Sequence, residues 1–172
     1  MELTPLDFDA WVAENGPKLK PPVGNKEVFP GCDDFIVMVV GGPNQRTDFH
    51  VDPYEEVFYQ LKGTMHVVVQ TPKGPQNVEI SEGQMWVLPR LVPHSPQRPE
   101  AGSIGLVFER PREPGVLEAF QWYCRECNHL IYEVELQVTD IVKDLPPVFE
   151  IFYASEEART CASCGAVHPG KG

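Results

Sequence analysis

Two short stretches, far apart in the sequence, carry side chains that have to meet in space if they are to act together. Each stretch joins possible metal ligands to turn-forming residues: His50, Asp52, Glu56 and Gly63 in the first, and Gly83, Pro89 and His94 in the second. Two imidazoles and one carboxylate are the ligand set that holds Fe(II) on one face and leaves the other face open. Pro53 interrupts the chain between His50 and Glu56, so the pattern predicts a site built from at least three strands. An open-faced iron site indicates oxygen chemistry.

Segments typical of β-strands alternate with turn-forming residues along most of the chain. The 172 residues include 18 prolines and 14 glycines, and 42% are hydrophobic, which is enough for one core but indicates many turns. The predicted strands are residues 34–40, 56–61, 64–70, 76–80, 85–88, 103–109 and 130–138. Lys62-Gly63 predicts a tight hairpin between two of them.

The remaining segments predict short helices and one soft division of the chain. Thr4-Pro5 and Asp7 predict a helix with a capping residue and a proline at its first position, and Gly16 ends it. The Pro146-Pro147 break is followed by a second predicted helix at residues 148–159, where aromatic residues recur at helical spacing. All 172 residues are expected to form a single domain, with a barrel in residues 1–114 and a metal-stapled extension in residues 115–172.

The cysteines predict a second metal site. Four of the five fall in two Cys-x-x-Cys pairs: Cys124, Cys127, Cys161 and Cys164. In a reducing compartment such pairs, separated by tens of residues, are typical of a tetrathiolate site for Fe or Zn. A thioredoxin-like redox pair is the alternative, but neither pair has the βαβ context that it needs. His129 could replace one cysteine as a ligand, and the lone Cys32 is expected to be at least partly buried.

Strand geometry places an arginine beside each of the two histidines. Residues two apart in an extended chain share a face, so Arg46 and Asp48 are expected to point the same way as His50. Arg98 is expected to share a face with His94 in the same manner. A barrel that buries both histidines brings the two guanidiniums into one pocket, where they suit a carboxylate. Simpler interpretations stay open, because a histidine in a β-protein is more often structural and Arg98 could face water.

The charge of the chain excludes several classes of partner. A net charge of −11 and a pI of about 4.8 repel nucleic acids and anionic membranes, so neither is an expected partner. The sequence begins Met1-Glu-Leu-Thr-Pro, without a basic segment followed by an apolar stretch, and no apolar run approaches the length of a membrane span. The cytoplasm is the predicted location.

The two metal-binding stretches resemble the paired motifs of the cupin superfamily, G-x5-H-x-H-x3,4-E-x6-G and G-x5-P-x-G-x2-H-x3-N. The matching positions are His50, Glu56 and Gly63 in the first motif and Gly83, Pro89 and His94 in the second. Four positions depart from the motifs: Gly42 lies two residues too early, Asp52 replaces the second histidine, Leu91 replaces a glycine and Arg98 replaces the asparagine. Because the second histidine is lost, the resemblance implies a three-ligand site instead of a four-ligand one.

With its tail included, the whole chain resembles the family of bacterial-type 3-hydroxyanthranilate 3,4-dioxygenases. The segments NQRTDFH at 44–50, YEE at 54–56 and PHSPQRP at 93–99 carry the resemblance, together with the two cysteine pairs. It implies an all-β fold, a cupin double-stranded β-helix (a jelly-roll-like barrel) with short peripheral helices and a rubredoxin-like four-cysteine extension. It also implies catalytic Fe(II) bound by His50, Glu56 and His94.

The same resemblance implies a substrate and roles for four further residues. The carboxylate of 3-hydroxyanthranilate is expected at Arg46 and Arg98. Glu109 is expected to contact the amino and hydroxyl groups of the substrate and to transfer its proton, and Asp48 to orient a ligand near the metal. Ring opening by O2 gives 2-amino-3-carboxymuconate semialdehyde, which feeds quinolinate and NAD synthesis or aromatic degradation. The family also implies a homodimer.

Other functions remain as alternatives at this stage. Another cupin dioxygenase or an isomerase could use the same three ligands, although neither explains two arginines and a four-cysteine tail. A non-enzymatic metal-binding cupin usually lacks a ligand, whereas here all three are present. A zinc ribbon that binds nucleic acid would need a basic neighbourhood, and the tail is acidic.

Overall fold

The computed structural model describes residues 4–20, 24–139 and 141–171, in which the chain forms two antiparallel sheets. The strands are β1 (Asn25–Glu27), β2 (Ile36–Gly41), β3 (Phe49–Val51), β4 (Glu56–Lys62), β5 (Met65–Thr71), β6 (Gly74–Ile80), β7 (Met85–Leu88), β8 (His94–Gln97), β9 (Ile104–Glu109), β10 (Glu118–Tyr123) and β11 (Leu130–Leu136). One sheet has five strands in the order β1-β2-β9-β4-β7, and the other has six in the order β11-β10-β3-β8-β5-β6.

The two sheets enclose an apolar core. Along β4 and β5 every second residue is buried, because successive side chains of a strand point to opposite faces. The buried residues of the core come from both sheets: Val40, Phe58, Met65, Val67, Val69, Ile80, Leu88 and Val107. Each predicted strand is confirmed to within two residues at its ends, and so is the all-β double-stranded β-helix with short peripheral helices.

The predicted hairpin at Lys62-Gly63 is wrong, because the strands on its two sides belong to different sheets. β4 pairs with β7 and β9, whereas β5 pairs with β6 and β8. Gly63 has a φ of 71° and turns the chain from one sheet to the other. Its N–H donates to Glu82 at 2.9 Å, and the N–H of Thr64 donates to Glu100 at 2.9 Å. Side-chain carboxylates thus satisfy the turn, and no cross-strand partner is needed.

A short helix covers the outer side of the five-stranded sheet. Helix α1 (Phe8–Asn15) begins after Asp7, whose carboxylate accepts the N–H of Ala10 at 3.0 Å. The predicted cap and the end near Gly16 are confirmed, but Pro5 lies before the helix and not in its first turn. Phe8 and Trp11 pack against a second apolar cluster around Val39 and Leu106, so the helix covers part of the outer face of this sheet.

The C-terminal segment adds strands and helices to the other sheet. Helix α2 (Ile141–Ala154) contains Pro146 and Pro147, so the prediction that these prolines precede the helix is wrong. Packing of its aromatic face, with Phe149 and Phe152 against Trp122 of β10, outweighs the backbone hydrogen bonds that the prolines lose. Helix α3 (Glu156–Arg159) is separate, because the hydroxyl of Ser155 caps it by accepting the Ala158 N–H at 3.1 Å.

No helix in residues 4–20, 24–139 or 141–171 is long and apolar enough to cross a membrane.

Candidate active site

Three buried side chains from three strands meet at one point. His50 is the middle residue of β3, Glu56 the first of β4 and His94 the first of β8. His50 and His94 face each other in the pairing of β3 with β8. The ligand atoms of all three lie within 4.8 Å of one another. The structure thus brings together the possible ligands of the two sequence motifs.

The charges at this point fit a bound cation. Oε1 of Glu56 lies 3.0 Å from Nε2 of His94 and 3.4 Å from Nδ1 of His50, yet no hydrogen bond from the described part of the chain satisfies this buried oxygen. Burial alone raises the pKa of Glu56, but the His94 and His50 imidazoles hold it well below its usual range. Burial lowers the pKa of His50, but the adjacent Glu118 and Glu56 carboxylates outweigh it and raise this pKa to about 9. A cluster that attracts positive charge in this way suits a metal ion held by two imidazoles and a carboxylate.

The other ring nitrogen of His50 is held by a carboxylate that sequence analysis missed. Nε2 of His50 lies 2.5 Å from Oε2 of Glu118, the first residue of β10. Phe120 of the same strand stacks on the His50 ring with a centroid distance of 5.0 Å. Metal-binding histidines commonly donate their second N–H to a carboxylate, which fixes the orientation of the ring. Glu118 therefore holds His50 with Nδ1 towards Glu56.

A cavity of about 120 Å³ lies beside the three side chains and is also lined by the buried cation Arg98. Arg98 follows β8, is 3% exposed, and has no hydrogen-bond partner at Nε or Nη2 among the residues that the structure describes. Burial and the nearby charge of Arg46 lower the pKa of Arg98 to about 10, so it is still charged at neutral pH. Buried donors are rarely left unpaired, so this guanidinium is suited to an anionic ligand, above all a carboxylate.

Arg46 lines the same cavity but already has a partner. Its guanidinium binds the carboxylate of Asp48, with Nε 3.1 Å from each carboxylate oxygen. Burial lowers the pKa of Arg46, but the charge of Asp48 outweighs it and the net shift is upward. Asp48 is buried, and among the described residues no hydrogen bond joins it to any of the three possible metal ligands. Its observed contact orients Arg46.

Glu109 approaches the cavity from the other sheet. It is the last residue of β9, and its Oε2 accepts a hydrogen bond of 2.7 Å from Nη1 of Arg112. Burial and the charge of Glu56 raise the pKa of Glu109, although Arg112 opposes the shift. A carboxyl group whose pKa is raised by burial is suited to accept a proton from a substrate and to release it again.

The four paired cysteines form a second group, which does not line this cavity. Their Sγ atoms all lie within 4.8 Å of one another, with 3.5 Å between Cys124 and Cys164 and 3.6 Å between Cys127 and Cys161. A disulfide would need about 2.05 Å, whereas a tetrahedron with metal–sulfur bonds of about 2.3 Å has an edge of roughly 3.8 Å. His129 is exposed and lies outside the group.

Two matching turns present these cysteines. The N–H of Asn128 donates to the carbonyl of Cys124 at 2.9 Å, and the N–H of Gly165 donates to the carbonyl of Cys161 at 2.8 Å. Asn128 and Gly165 hold equivalent positions with φ of 57° and 76°, a conformation that asparagine and glycine tolerate best. The two turns therefore place both pairs of sulfurs in the same way.

The thiols of this group repel one another as they ionise. The backbone N–H of Cys127 lowers the pKa of Cys124 to about 7. The backbone N–H of Ala166 also lowers that of Cys164, but the adjacent Cys127 and Cys124 thiols outweigh it and raise this pKa to about 12. A metal cation bound by all four sulfurs relieves this repulsion.

Comparison with known proteins identifies one family over most of the chain. The sequence model of the family described as 3-hydroxyanthranilic acid dioxygenase matches residues 1–153. The chain belongs to this family. Relatives named 3-hydroxyanthranilate 3,4-dioxygenase include one from Paraburkholderia phytofirmans, 54% identical over 97% of this chain and 95% of the relative, and one from Jannaschia sp., 53% identical over 98% and 93%. The chain is also similar to the crystal structure of a cupin-2 domain containing protein from Shewanella frigidimarina, with 18% identity and a TM-score of 0.49 over 61% of this chain and 93% of that chain.

Membership of the 3-hydroxyanthranilic acid dioxygenase family makes the chain an enzyme, a ring-cleaving dioxygenase. In this dioxygenase, Asp52 occupies the position of the second cupin histidine without joining the ligand group. Its Oδ2 accepts a 2.6 Å hydrogen bond from Arg112, and its Oδ1 accepts the N–H of Tyr54 at 2.7 Å. Sequence analysis missed Arg112, which no spacing distinguishes from the exposed Arg110. The available signal was Asp52 itself, because a carboxylate in place of a buried histidine needs a cationic partner.

Proposed function

We propose that the chain opens the ring of 3-hydroxyanthranilate with O2 to give 2-amino-3-carboxymuconate semialdehyde, using Fe(II) bound by His50, Glu56 and His94. The observation that carries the proposal is the unpaired guanidinium of Arg98, which lines the same cavity as the three ligands. A substrate whose carboxylate binds Arg98 presents its ring to the ligand group. The bond between C3 and C4 breaks and both atoms of O2 enter the product, where C3 becomes a carboxylate and C4 an aldehyde.

Two arginines bind the substrate carboxylate in unequal ways. Arg98 contributes Nε and Nη2, which have no partner among the described residues. Arg46 remains bound to Asp48, so it adds positive charge from a fixed position. The apolar side chains of Phe58 and Val107 line the cavity beside these cations and suit an aromatic ring. The chain thus recognises a planar aromatic acid.

The donor set fits Fe(II), because two imidazoles and one carboxylate leave positions open for the substrate and O2. Bound there, Fe(II) supplies the electron transfer between the ring and O2 that their direct reaction lacks. The chain's own part is to hold the ligands in place and to exclude water from them. His50, Glu56 and His94 are 8%, 2% and 1% exposed, so the ligand group is closed to bulk solvent except through the cavity.

Glu109 handles the proton of the substrate hydroxyl. It lines the cavity opposite the two histidines, and burial raises its pKa. Glu109 therefore accepts the hydroxyl proton as the substrate binds and returns it when the ring opens. Arg112 keeps one oxygen of Glu109 occupied at 2.7 Å, which leaves the other oxygen for the substrate.

The remaining parts of the proposal concern the tail and the assembly. The four cysteines bind one Fe or Zn ion, whose closed coordination makes the site structural. The 172 residues form one domain, act as a homodimer in the cytoplasm, and supply quinolinate and NAD synthesis or aromatic degradation. Sedimentation tests the assembly, and a monomer at working concentration contradicts the homodimer.

Anaerobic reconstitution with Fe(II), followed by an absorbance assay with 3-hydroxyanthranilate in air, tests the activity. The reconstituted protein should consume one O2 for each substrate molecule. The matched control substrate is 2-aminophenol, which keeps the hydroxyl and amino groups but lacks the carboxylate. Its kcat/KM should be lower by about two decades, because it cannot pair with the buried guanidinium of Arg98. An iron-loaded protein that binds but does not open 3-hydroxyanthranilate contradicts the proposed function.

A further inference from the structure

Arg112 connects three carboxylates that come from different parts of the chain. Nη1 donates to Glu109 at 2.7 Å, and Nη2 donates to Asp52 at 2.6 Å and to Glu118 at 3.1 Å. Nε lies 3.1 Å from the second oxygen of Glu118. The side chain of Arg112 is only 7% exposed. Glu109 ends β9, Glu118 begins β10 and Asp52 lies between β3 and β4, so one guanidinium joins three elements.

Two of these carboxylates act on the ligand group and the cavity directly. Glu118 is the residue whose Oε2 lies 2.5 Å from Nε2 of His50. Glu109 lines the cavity from the opposite side. The same guanidinium therefore sets the position of the carboxylate behind a metal ligand and that of the carboxylate facing the substrate. A residue that only stabilised the fold would not need to contact both Glu118 and Glu109.

The geometry requires an arginine at this position. The three hydrogen bonds and the close Nε contact leave in different directions from one planar group, which a fork of five N–H donors can supply. A lysine ammonium keeps the charge but is a single point with three donors. Its one nitrogen cannot take the places of Nη1, Nη2 and Nε, which contact the three carboxylates from separate positions. The Arg112→Lys variant therefore separates the effect of the positive charge from the effect of the guanidinium geometry.

We propose that Arg112 and Glu118 are positioning residues of this dioxygenase, which hold the metal ligand His50 and the proton-transferring Glu109 in one connected ion-pair network. Glu118 fixes the ring of His50, and Arg112 fixes Glu118 and Glu109 relative to each other. The inference rests on the proposed function in that His50 binds iron. It assigns no contact with the substrate to either residue.

The test compares Glu118→Gln and Arg112→Lys with the wild-type protein, after urea unfolding has shown which variants fold. The first readout is the dissociation constant of Fe(II) for the barrel site, measured under nitrogen by competition with a coloured chelator on protein whose four-cysteine site already holds its metal. Glu118→Gln should raise this constant about 10- to 100-fold, the usual effect of removing the carboxylate behind a metal-binding histidine. The matched control is the exposed ion pair of Arg110 and Glu113, which lie 3.0 Å apart in the same segment. Arg110→Lys and Glu113→Gln should leave the constant within about twofold of wild type.

The second readout separates positioning from simple loss of stability. In iron-loaded Arg112→Lys, kcat for 3-hydroxyanthranilate should fall about 10- to 100-fold. Its KM should stay within about threefold, because Arg46 and Arg98 are unchanged. An Arg112→Lys variant in which both kcat and the Fe(II) dissociation constant match wild type overturns the role of Arg112.

If Arg112→Lys does not fold, the nearly isosteric Glu118→Gln variant tests the proposal. An unchanged Fe(II) dissociation constant in Glu118→Gln overturns it. If the wild-type protein binds Fe(II) but does not turn over 3-hydroxyanthranilate, the proposed function fails while the Fe(II) comparison still tests this inference.

Discussion

The two groups of metal-binding side chains differ in how they use the chain. The barrel group takes one ligand from each of three strands that are distant in sequence, and one side of it faces a cavity. The cysteine group takes two ligands from each of two matching turns. Three donors leave coordination positions for chemistry, whereas four thiolates close the site. We therefore propose that the barrel group is the reactive centre and that the cysteine group is a structural metal site.

Their surroundings differ as strongly as their ligands. Buried and partly buried charged side chains surround the barrel group, including the cavity-lining arginines Arg46, Arg98 and Arg112 and the carboxylate of Glu118 behind His50. Backbone N–H groups and the neighbouring thiols dominate around the cysteines. Charged side chains tune proton transfer and substrate binding, while backbone donors stabilise thiolates at fixed positions. Removing residues from each group should therefore have distinct consequences.

The largest effect should follow from loss of a barrel ligand. His50→Ala, Glu56→Ala or His94→Ala should each remove Fe(II) from the barrel and reduce turnover roughly 10³-fold or more, because the metal supplies several kcal/mol of transition-state stabilisation. The core between the sheets does not involve these residues, so circular dichroism should be unchanged. His66→Ala is the matched control, since His66 lies on β5 outside the ligand group. Wild-type turnover in any of the three ligand variants, at one iron per chain, would show that the barrel group is not catalytic.

Substitution of the cavity arginines should affect substrate affinity, because they are proposed to bind the substrate carboxylate beside the barrel group. Arg98→Ala should weaken substrate binding by about 2 to 4 kcal/mol, or roughly two decades or more in affinity, because a buried bidentate contact is lost. Arg98→Lys should recover part of the lost affinity, because lysine restores the positive charge but not the two parallel N–H donors of the guanidinium. Arg46→Ala should have a smaller effect, because Arg46 is shared with Asp48. Titration with 3-hydroxyanthranilate under nitrogen measures the substrate affinity of each variant. Unchanged affinity in both alanine variants would mean that the carboxylate binds elsewhere.

Loss of a cysteine ligand should affect stability and leave turnover intact. Cys161→Ser or Cys164→Ser should lose the second metal and lower the melting temperature by roughly 5 to 10 °C, which at this length corresponds to about 2 to 3 kcal/mol. Cys32→Ser is the control, since Cys32 is outside the group. Turnover per barrel iron should remain close to wild type in the folded fraction. A well-folded variant with full barrel iron and no turnover would give the tail a part in the reaction.

The smallest expected effect is a pH dependence near the tail. His168 is 4% exposed, and burial together with Arg125 and Arg159 lowers its pKa to about 4. The folded state therefore keeps His168 neutral, so its stabilising contribution is complete above about pH 6.5 and is lost as the pH falls towards 4. At pH 5 the loss should be at most about 2 kcal/mol.

Urea unfolding of wild type and His168→Asn at pH 7.5 and pH 5 measures this effect. Asparagine offers an oxygen in place of Nδ1, which accepts the N–H of Gly170 at 3.1 Å, but it does not titrate. Wild type should lose more unfolding free energy than His168→Asn between the two pH values. His129→Asn, at an exposed histidine, should behave like wild type. Equal losses in wild type and His168→Asn would show that His168 does not cause the pH dependence.

Spacing in the sequence was sufficient to predict which ligands meet. Period-two alternation located strands such as β4 and β5, and Pro53 correctly separated His50 from Glu56. β10 was not predicted, because it is buried on both faces for most of its length and so lacks alternation. The prediction of a hairpin at Gly63 was wrong for a different reason. A glycine turn looks the same in sequence whether the chain returns along its own sheet or crosses to the other.

The partners of the charged residues could not be predicted from the sequence. Arg112 contacts Glu109 three residues away, but it also contacts Asp52 and Glu118, which only the fold brings near. Arg46 and Arg98 looked equivalent in sequence, each four residues from a histidine. Within the described residues, Arg46 is paired with Asp48, whereas Nε and Nη2 of Arg98 have no hydrogen-bond partner. Spacing in the sequence predicts which side chains lie on the same face of a strand. The partner that neutralises a charged side chain depends on which elements the fold packs together.

We expect one iron, held in the barrel, to account for all turnover. The rate of 3-hydroxyanthranilate consumption as a function of iron bound per chain, in Cys161→Ser and in Glu56→Ala, tests this. In Cys161→Ser the rate should rise in proportion to bound iron and reach its maximum at one equivalent. In Glu56→Ala it should stay near zero even when the tail site is filled. A rate in Cys161→Ser that stays near zero at one barrel iron, or a rate in Glu56→Ala that rises with tail iron, would contradict the claim.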